Sequence, residues 1–214
     1  MRLYALLAIP LLAACAGGVP DQARIVVAGD SVMAWNRIGG GSVADVLEAR
    51  LGVAVGDVSL PFAQIAGGRG SLNIPTQLDG VQADWIVLNG GANDLSGGCR
   101  NSDCRPVLDR LISEDGQRGA IPELVADLRR RGARVIWADY YTSPRYAGTA
   151  SEAPYRILEA RLARMAASDP GVWLVDMDDV FSPEDASLFA IDRIHPSAKG
   201  SARIAGVIAP VIGR

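Results

Sequence analysis

Arg24-Ile25-Val26-Val27-Ala28-Gly29-Asp30-Ser31 joins an unbroken apolar run to a glycine, an acid and a hydroxyl. The run does not alternate apolar with polar, which is the pattern of a strand covered by helices on both faces. Gly29-Asp30-Ser31 then reads as a tight turn into a helix. Four more runs of strand length follow, at residues 53–58, 85–89, 134–138 and 172–175. Apolar residues at helical spacing fill the intervals, at 43–51, 121–131, 154–167 and 197–212. The third strand-to-strand interval carries Pro122 near the helix start and Gly132 at its end, the expected asymmetry of a helix. Strand and helix alternate throughout. The expected fold is therefore α/β, a three-layer sandwich around a five-stranded parallel sheet.

The chain has 214 residues, enough for one domain with a full core. A net charge of −3 with interspersed signs, and no basic block, argues against nucleic acid as a partner. Residues 3–14 form an apolar run too short for an ordinary transmembrane helix. It reads as the core of an export signal. Leu12-Ala13-Ala14-Cys15 resembles the bacterial lipobox, whose cysteine becomes the lipid-bearing first residue. The expected layout is a signal peptide over 1–14, a tether over 15–22 and one domain over 23–214. The competing reading is an ordinary secretory signal cut after Ala14 or Ala16. With Cys15 taken by lipid, the protein would be held at the bacterial cell envelope, on either membrane or at the cell surface. Two of the three cysteines then remain, Cys99 and Cys104. Export to an oxidising compartment favours a disulfide between them. No histidine or further cysteine lies nearby to complete a metal site.

Ligand sites in doubly wound sheets lie outside the carboxyl ends of the strands. Ser31 follows the first strand, and Asn89-Gly90-Gly91-Ala92-Asn93-Asp94 follows the third. Near the end stands Asp192-Arg193-Ile194-His195-Pro196, with the only histidine in the chain. A serine hydroxyl needs an adjacent base to act as a nucleophile. If Ser31 uses an imidazole, that imidazole is His195. Asp192, three residues earlier, can hold its Nδ1–H and stabilise the imidazolium. The backbone N–H of Ser31 and the side-chain amide of Asn93 are candidate donors to an oxyanion. Gly91 allows the tight turn that would face Asn93 toward the serine.

These blocks resemble those of the SGNH hydrolases, the Gly-Asp-Ser esterase and lipase superfamily. Gly29-Asp30-Ser31, Gly91-Ala92-Asn93-Asp94 and Asp192 to Pro196 match its first, third and fifth blocks in order. The resemblance spans the mature chain. It implies a flavodoxin-like sandwich and cofactor-free, metal-free ester hydrolysis through a serine acyl-enzyme. Ser31 would be nucleophile, His195 base and then acid, Asp192 its orienting partner and Asn93 an oxyanion donor. The second block departs. Where the family has a glycine whose backbone N–H is a third donor, counting from Asp57 lands on Phe62. A backbone donor does not require glycine, so Phe62 can serve; a longer loop would give the role to Gly67 or Gly68. The nucleophile elbow Gly-x-Ser-x-Gly of the α/β-hydrolases is absent.

The implied substrate is a small-molecule or glycan ester, short-acyl or O-acetyl, taken by a monomer. An envelope O-acyltransferase with the same triad and a non-catalytic binding protein of the same fold are the alternatives. Trp35 reads equally as a pocket wall or a core residue, whereas Trp85, Trp137 and Trp173 read as core. At least one of Tyr140 and Tyr141 is expected at the cleft. Asp94 is expected to brace its loop, Asp139 to be structural, and Arg129-Arg130-Arg131 to be a solvated helix end.

Overall fold

In a computed structural model, which describes residues 18–20, 22–99 and 103–213, the first apolar run becomes the central strand. This strand, β1 (Ile25–Ala28), is buried at every position. It pairs in parallel with β2 (Val55–Asp57) on one side and β3 (Trp85–Leu88) on the other. Beyond β3 come β4 (Arg134–Ala138) and β5 (Val172–Val175), giving the order β2-β1-β3-β4-β5. The architecture is the expected α/β sandwich with five parallel strands. Successive side chains of β1 enter different cores, as strand geometry requires. Val26 and Ala28 join the core under α5 (Arg105–Leu111), α6 (Ala120–Arg130) and α7 (Ala153–Ser168). Ile25 and Val27 join the core under α1 (Ser31–Ala34), α2 (Val43–Leu51) and α8 (Ala198–Ile212). Neither core leaves β1 a solvated face, hence its lack of polar residues.

Local signals set the helix ends. Ser42 and Asp45 form a reciprocal capping box on α2, and Gly52 closes it in the left-handed region. Ser197 caps α8 by accepting from the Gly200 N–H. Two short helices were not legible as periodic segments, α3 (Ile74–Gln77) and α4 (Ala92–Gly98). Among the described residues no helix is long and apolar enough to cross a membrane.

Several expectations need correction. The second strand is shorter than the apolar run, because Val53 lies half exposed outside it. The tether is not wholly outside the fold, since the Asp57 N–H donates to the Gly18 carbonyl. Arg129 and Arg131 are not simply solvated. Arg129 pairs with Asp169 and donates to the Ala133 carbonyl, whereas Arg131 donates to the Leu78 carbonyl. Only Arg130 of the three is an exposed cation of the expected kind.

Because β1 leads to β2 on one side and β3 lies on the other, the turns leaving β1 and β3 diverge. The crevice between them is the switch point of this strand order.

Candidate active site

The turn after β1 builds the floor of the site. Gly29 has φ +135°, and a Cβ there would lie 2.1 Å from Asn89 Oδ1. A side chain is excluded twice, by conformation and by space. The closeness is used: Asn89 Oδ1 accepts from the Asp30 N–H at 3.1 Å, while Asn89 Nδ2 donates to Asp30 Oδ1 at 2.9 Å. Asp30 also caps α1 by accepting from the Val32 N–H, and accepts from the Tyr140 hydroxyl at 2.5 Å. Burial pushes the Asp30 carboxyl above the usual carboxylate range, against the bonds from Tyr140, Val32 and Asn89. The Tyr140 hydroxyl in turn accepts from the Ala92 N–H at the start of α4. One buried network thus fixes the ends of β1, β3 and β4 relative to one another.

Ser31 stands at the first position of α1. Its Oγ lies 2.8 Å from His195 Nε2, and His195 Nδ1 lies 2.6 Å from Asp192 Oδ2. The turn between acid and imidazole is tight, with Arg193 at φ +59°. Asp192 Oδ1 accepts from the backbone N–H groups of Ile194 and His195. Burial acts to raise Asp192, but the His195 side chain and these two N–H groups outweigh it and hold the carboxyl below its usual range. The loop itself is anchored, since Tyr141 donates to the Ile194 carbonyl and the Ala190 N–H to the His195 carbonyl. Trp35 stacks on the imidazole, with ring centroids 3.8 Å apart and planes 5° apart.

Asn93 comes from the start of α4. Its Nδ2 donates to the Ala63 carbonyl at 2.9 Å, which leaves one amide N–H uncommitted to that bond. Gln64 Nε2 donates to the Asn93 carbonyl. Asp94 accepts from the N–H groups of Ile65 and Ala66, bracing the loop as expected of it. These four bonds strap residues 63–66 to α4. Phe62, just before the strap, adopts φ +67° with its side chain 78% exposed. Gly91, which precedes α4, has φ +113°. The Arg37–Asp57 ion pair, mostly buried, and the bond from Arg37 to the Ser59 carbonyl hold the root of the Phe62 loop.

Ser31, His195, Asn93, Phe62 and Trp35 all border one cleft of about 470 Å³. Gly67 and Gly68 do not line it; they pack against Gln64 and the Leu72 backbone. Both Tyr140 and Tyr141 border it, as do Tyr155, Arg156 and Glu159. Cys99 and Cys104 are joined as a disulfide with Cα atoms 4.4 Å apart, closing the end of α4 toward α5. Trp85 and Trp137 are core residues, and Trp173 is partly buried against Trp85. Cys15 lies outside the described residues. Sequence reasoning missed the structural work of Asn89, Gln64 and the Tyr140 hydroxyl. Asn89 was the detectable one, as a polar residue ending an apolar strand beside a glycine turn.

A serine hydroxyl, an imidazole and a carboxylate in series at the carboxyl edge of a doubly wound sheet are the arrangement of the serine hydrolases. The chain belongs to the GDSL-like lipase/acylhydrolase family, whose model matches residues 27–203. Ester hydrolysis is the chemistry that this membership indicates. Comparison with curated proteins gives no match. Among solved structures, a carbohydrate esterase family 2 enzyme with a carbohydrate binding domain from Corynascus thermopiles (Myceliophthora fergusii) is similar. It has TM-score 0.64 and 17% identity over 91% of this chain and 66% of its own. A family two carbohydrate esterase from Clostridium thermocellum gives TM-score 0.60 and 17% identity, with coverages of 89% and 63%. The chain thus spans just under two thirds of the length of these two proteins. A member of the lipolytic G-D-S-L family from Veillonella parvula gives TM-score 0.66 and 16% identity, covering 89% and 98%. At these identities the likeness is one of fold.

Proposed function

We propose that the protein hydrolyses short-acyl or O-acetyl esters through an acyl-enzyme on Ser31. The series Ser31 Oγ–His195 Nε2–Asp192 Oδ2, at 2.8 and 2.6 Å, carries the reading. In it, His195 takes the Ser31 proton as Oγ attacks the ester carbonyl, and Asp192 stabilises the imidazolium. The imidazolium then protonates the departing alkoxide. Water repeats the sequence on the acyl-enzyme, with His195 again the base. The oxyanion is met by the backbone N–H groups of Ser31 and Phe62 and by the second amide N–H of Asn93. Neither backbone group donates to a protein acceptor among the described residues. The modest cleft, walled by aromatic rings, favours small acyl groups or an acetylated sugar. Cys15 bears the lipid in this reading, holding a monomer to the envelope where glycan esters are within reach; that part rests on the sequence alone.

Fluorophosphonate labelling tests the proposal. Wild type should label, and Ser31→Ala and His195→Ala should not. Labelling of the Ser31→Ala variant at the wild-type level would overturn it. A series of p-nitrophenyl esters should then show kcat/KM falling as the acyl chain lengthens beyond butyrate. For the anchor, Cys15→Ala should release the protein from the membrane fraction.

A further inference from the structure

We propose that Asp139, Glu159 and Asp176 form a site for a divalent cation of the calcium class. Asp139 follows β4, Asp176 follows the neighbouring β5, and Glu159 reaches them from α7. One carboxylate oxygen from each lies within 4.8 Å of the other two. Oxygens bound to one Ca²⁺ at about 2.3–2.6 Å can be separated by up to about 5 Å, so the spacing suits a shared ion.

The occupant is indicated by an unpaired group. Asp139 is only 2% exposed. Its Oδ1 accepts from the Met177 N–H at 2.8 Å, and its Oδ2 has no hydrogen-bond partner among the described residues. A buried carboxylate oxygen without a donor is costly unless a cation or a proton satisfies it. Asp176 is partly buried, and its Oδ1 accepts from the Asp178 N–H. The cation already nearby is shared too widely to serve. Arg156 contacts Glu159 at 3.4 Å but also pairs with Asp178 at 2.8 Å and with Glu152. Arg156 thus serves Glu152, Glu159 and Asp178, and among the described residues it pairs with neither Asp139 nor Asp176. Burial, with Asp176, Glu159 and Asp178 adding to it, pushes the Asp139 carboxyl up to about 8 against the bond from Met177.

A bound ion would tie the ends of β4 and β5 to α7. Tyr140, next in sequence to Asp139, holds Asp30 beneath Ser31, so the ion would stiffen one support of the cleft. Binding itself does not depend on the esterase reading.

The test uses chelator-treated full-length protein with CaCl2, followed by calorimetric titration and by thermal unfolding. At a hundredfold excess over Kd the midpoint should rise by about 5–10 °C for a domain of this size. Tb³⁺ should show emission sensitised through the neighbouring aromatic rings, displaced by Ca²⁺. Glu159→Gln and Asp176→Asn should each abolish the shift and the emission. Asp185→Asn, outside the cluster and paired with Lys199, should keep both. Absence of binding heat and of a shift at about 10 mM CaCl2, about tenfold above the Kd of the weakest Ca²⁺ modules, would overturn the proposal. Equal shifts in wild type and Glu159→Gln would overturn it too. Either result would leave a proton shared among the three carboxyls as what holds them together.

Discussion

Replacing Trp35 by leucine should slow catalysis without weakening substrate binding. The indole covers the imidazole nearly face to face, at 3.8 Å and 5°. When His195 accepts the serine proton it becomes a cation lying on that face. A cation over an indole gains about 0.5–2 kcal/mol, the lower values applying to exposed sites. The His195 side chain is 20% exposed, which places it toward the stronger end. Because the gain exists only once charge forms, it stabilises the transition state and not the bound ester. The expected loss is therefore about 3- to 30-fold in kcat, at about 1.4 kcal/mol per tenfold, with KM changed less than about threefold. Leucine keeps an apolar wall and removes the π face, and Trp35→Phe restores most of the rate. His195 is the only histidine, so its two carbon-bound ring protons form an unambiguous NMR pair. Stacking shields them in wild type; both should move downfield in Trp35→Leu. A rise in KM at constant kcat would refute the reasoning and make Trp35 a wall of the acyl pocket. Unmoved histidine resonances would refute the stack itself.

Four other outcomes follow from the same geometry. Asn93→Ala removes a proposed oxyanion donor and the bond to Ala63, so kcat should fall about 10²–10³-fold; a loss below tenfold would exclude the donor role. Asp30 has its carboxyl raised in the fold, so its contribution to stability is largest at acid pH and is lost as pH rises through the folded value. The difference in unfolding midpoint between wild type and Asp30→Asn should accordingly shrink from pH 4 upward, and a widening gap would contradict the sign. Reducing Cys99–Cys104, which closes a loop of sequence separation 5, should cost about 2 kcal/mol and several degrees in melting. Activity should fall with the protein still folded; unchanged activity would detach the disulfide from the Asn93 helix. Phe62→Gly should keep activity within about threefold, since the proposed donor is the backbone, whereas Phe62→Pro, lacking the N–H, should lose at least about tenfold.

Continuous apolar runs made the five strands readable, because strands buried on both faces exclude polar residues. Their order was not readable from those runs, since parallel strands of similar composition carry no partner labels; the structure supplies it. The short helix α4 escaped because seven residues give fewer than two helical turns of pattern, and Gly97 and Gly98 weaken even that. In the site, the residues that would do chemistry were visible because few residue types can do it. Those that position them were not. Tyr140 bonds Asp30 across 110 residues, and Gln64 bonds Asn93 across 29. No local spacing announces such pairs. Arg129 and Arg131 show the same limit: a cationic helix end looks solvated until the carbonyls it caps are known.

Phe62 separates a residue-type requirement from a backbone requirement. Glycine at this point of the related pattern suggests that glycine itself is needed. The observed φ of +67° puts Phe62 in the left-handed region that glycine favours, and its N–H makes no backbone hydrogen bond among the described residues. A side chain with a β-carbon costs about 1–2 kcal/mol there, and only a loop fixed from both ends can impose it. Both ends are fixed. Arg37 holds Asp57 and Ser59 before Phe62, and Asn93, Gln64 and Asp94 hold residues 63–66 after it. The same strap that bears the strain sets Asn93 beside the loop. Both proposed donors therefore share one support, and a mutation that loosens it, such as Asp94→Ala, should impair them together.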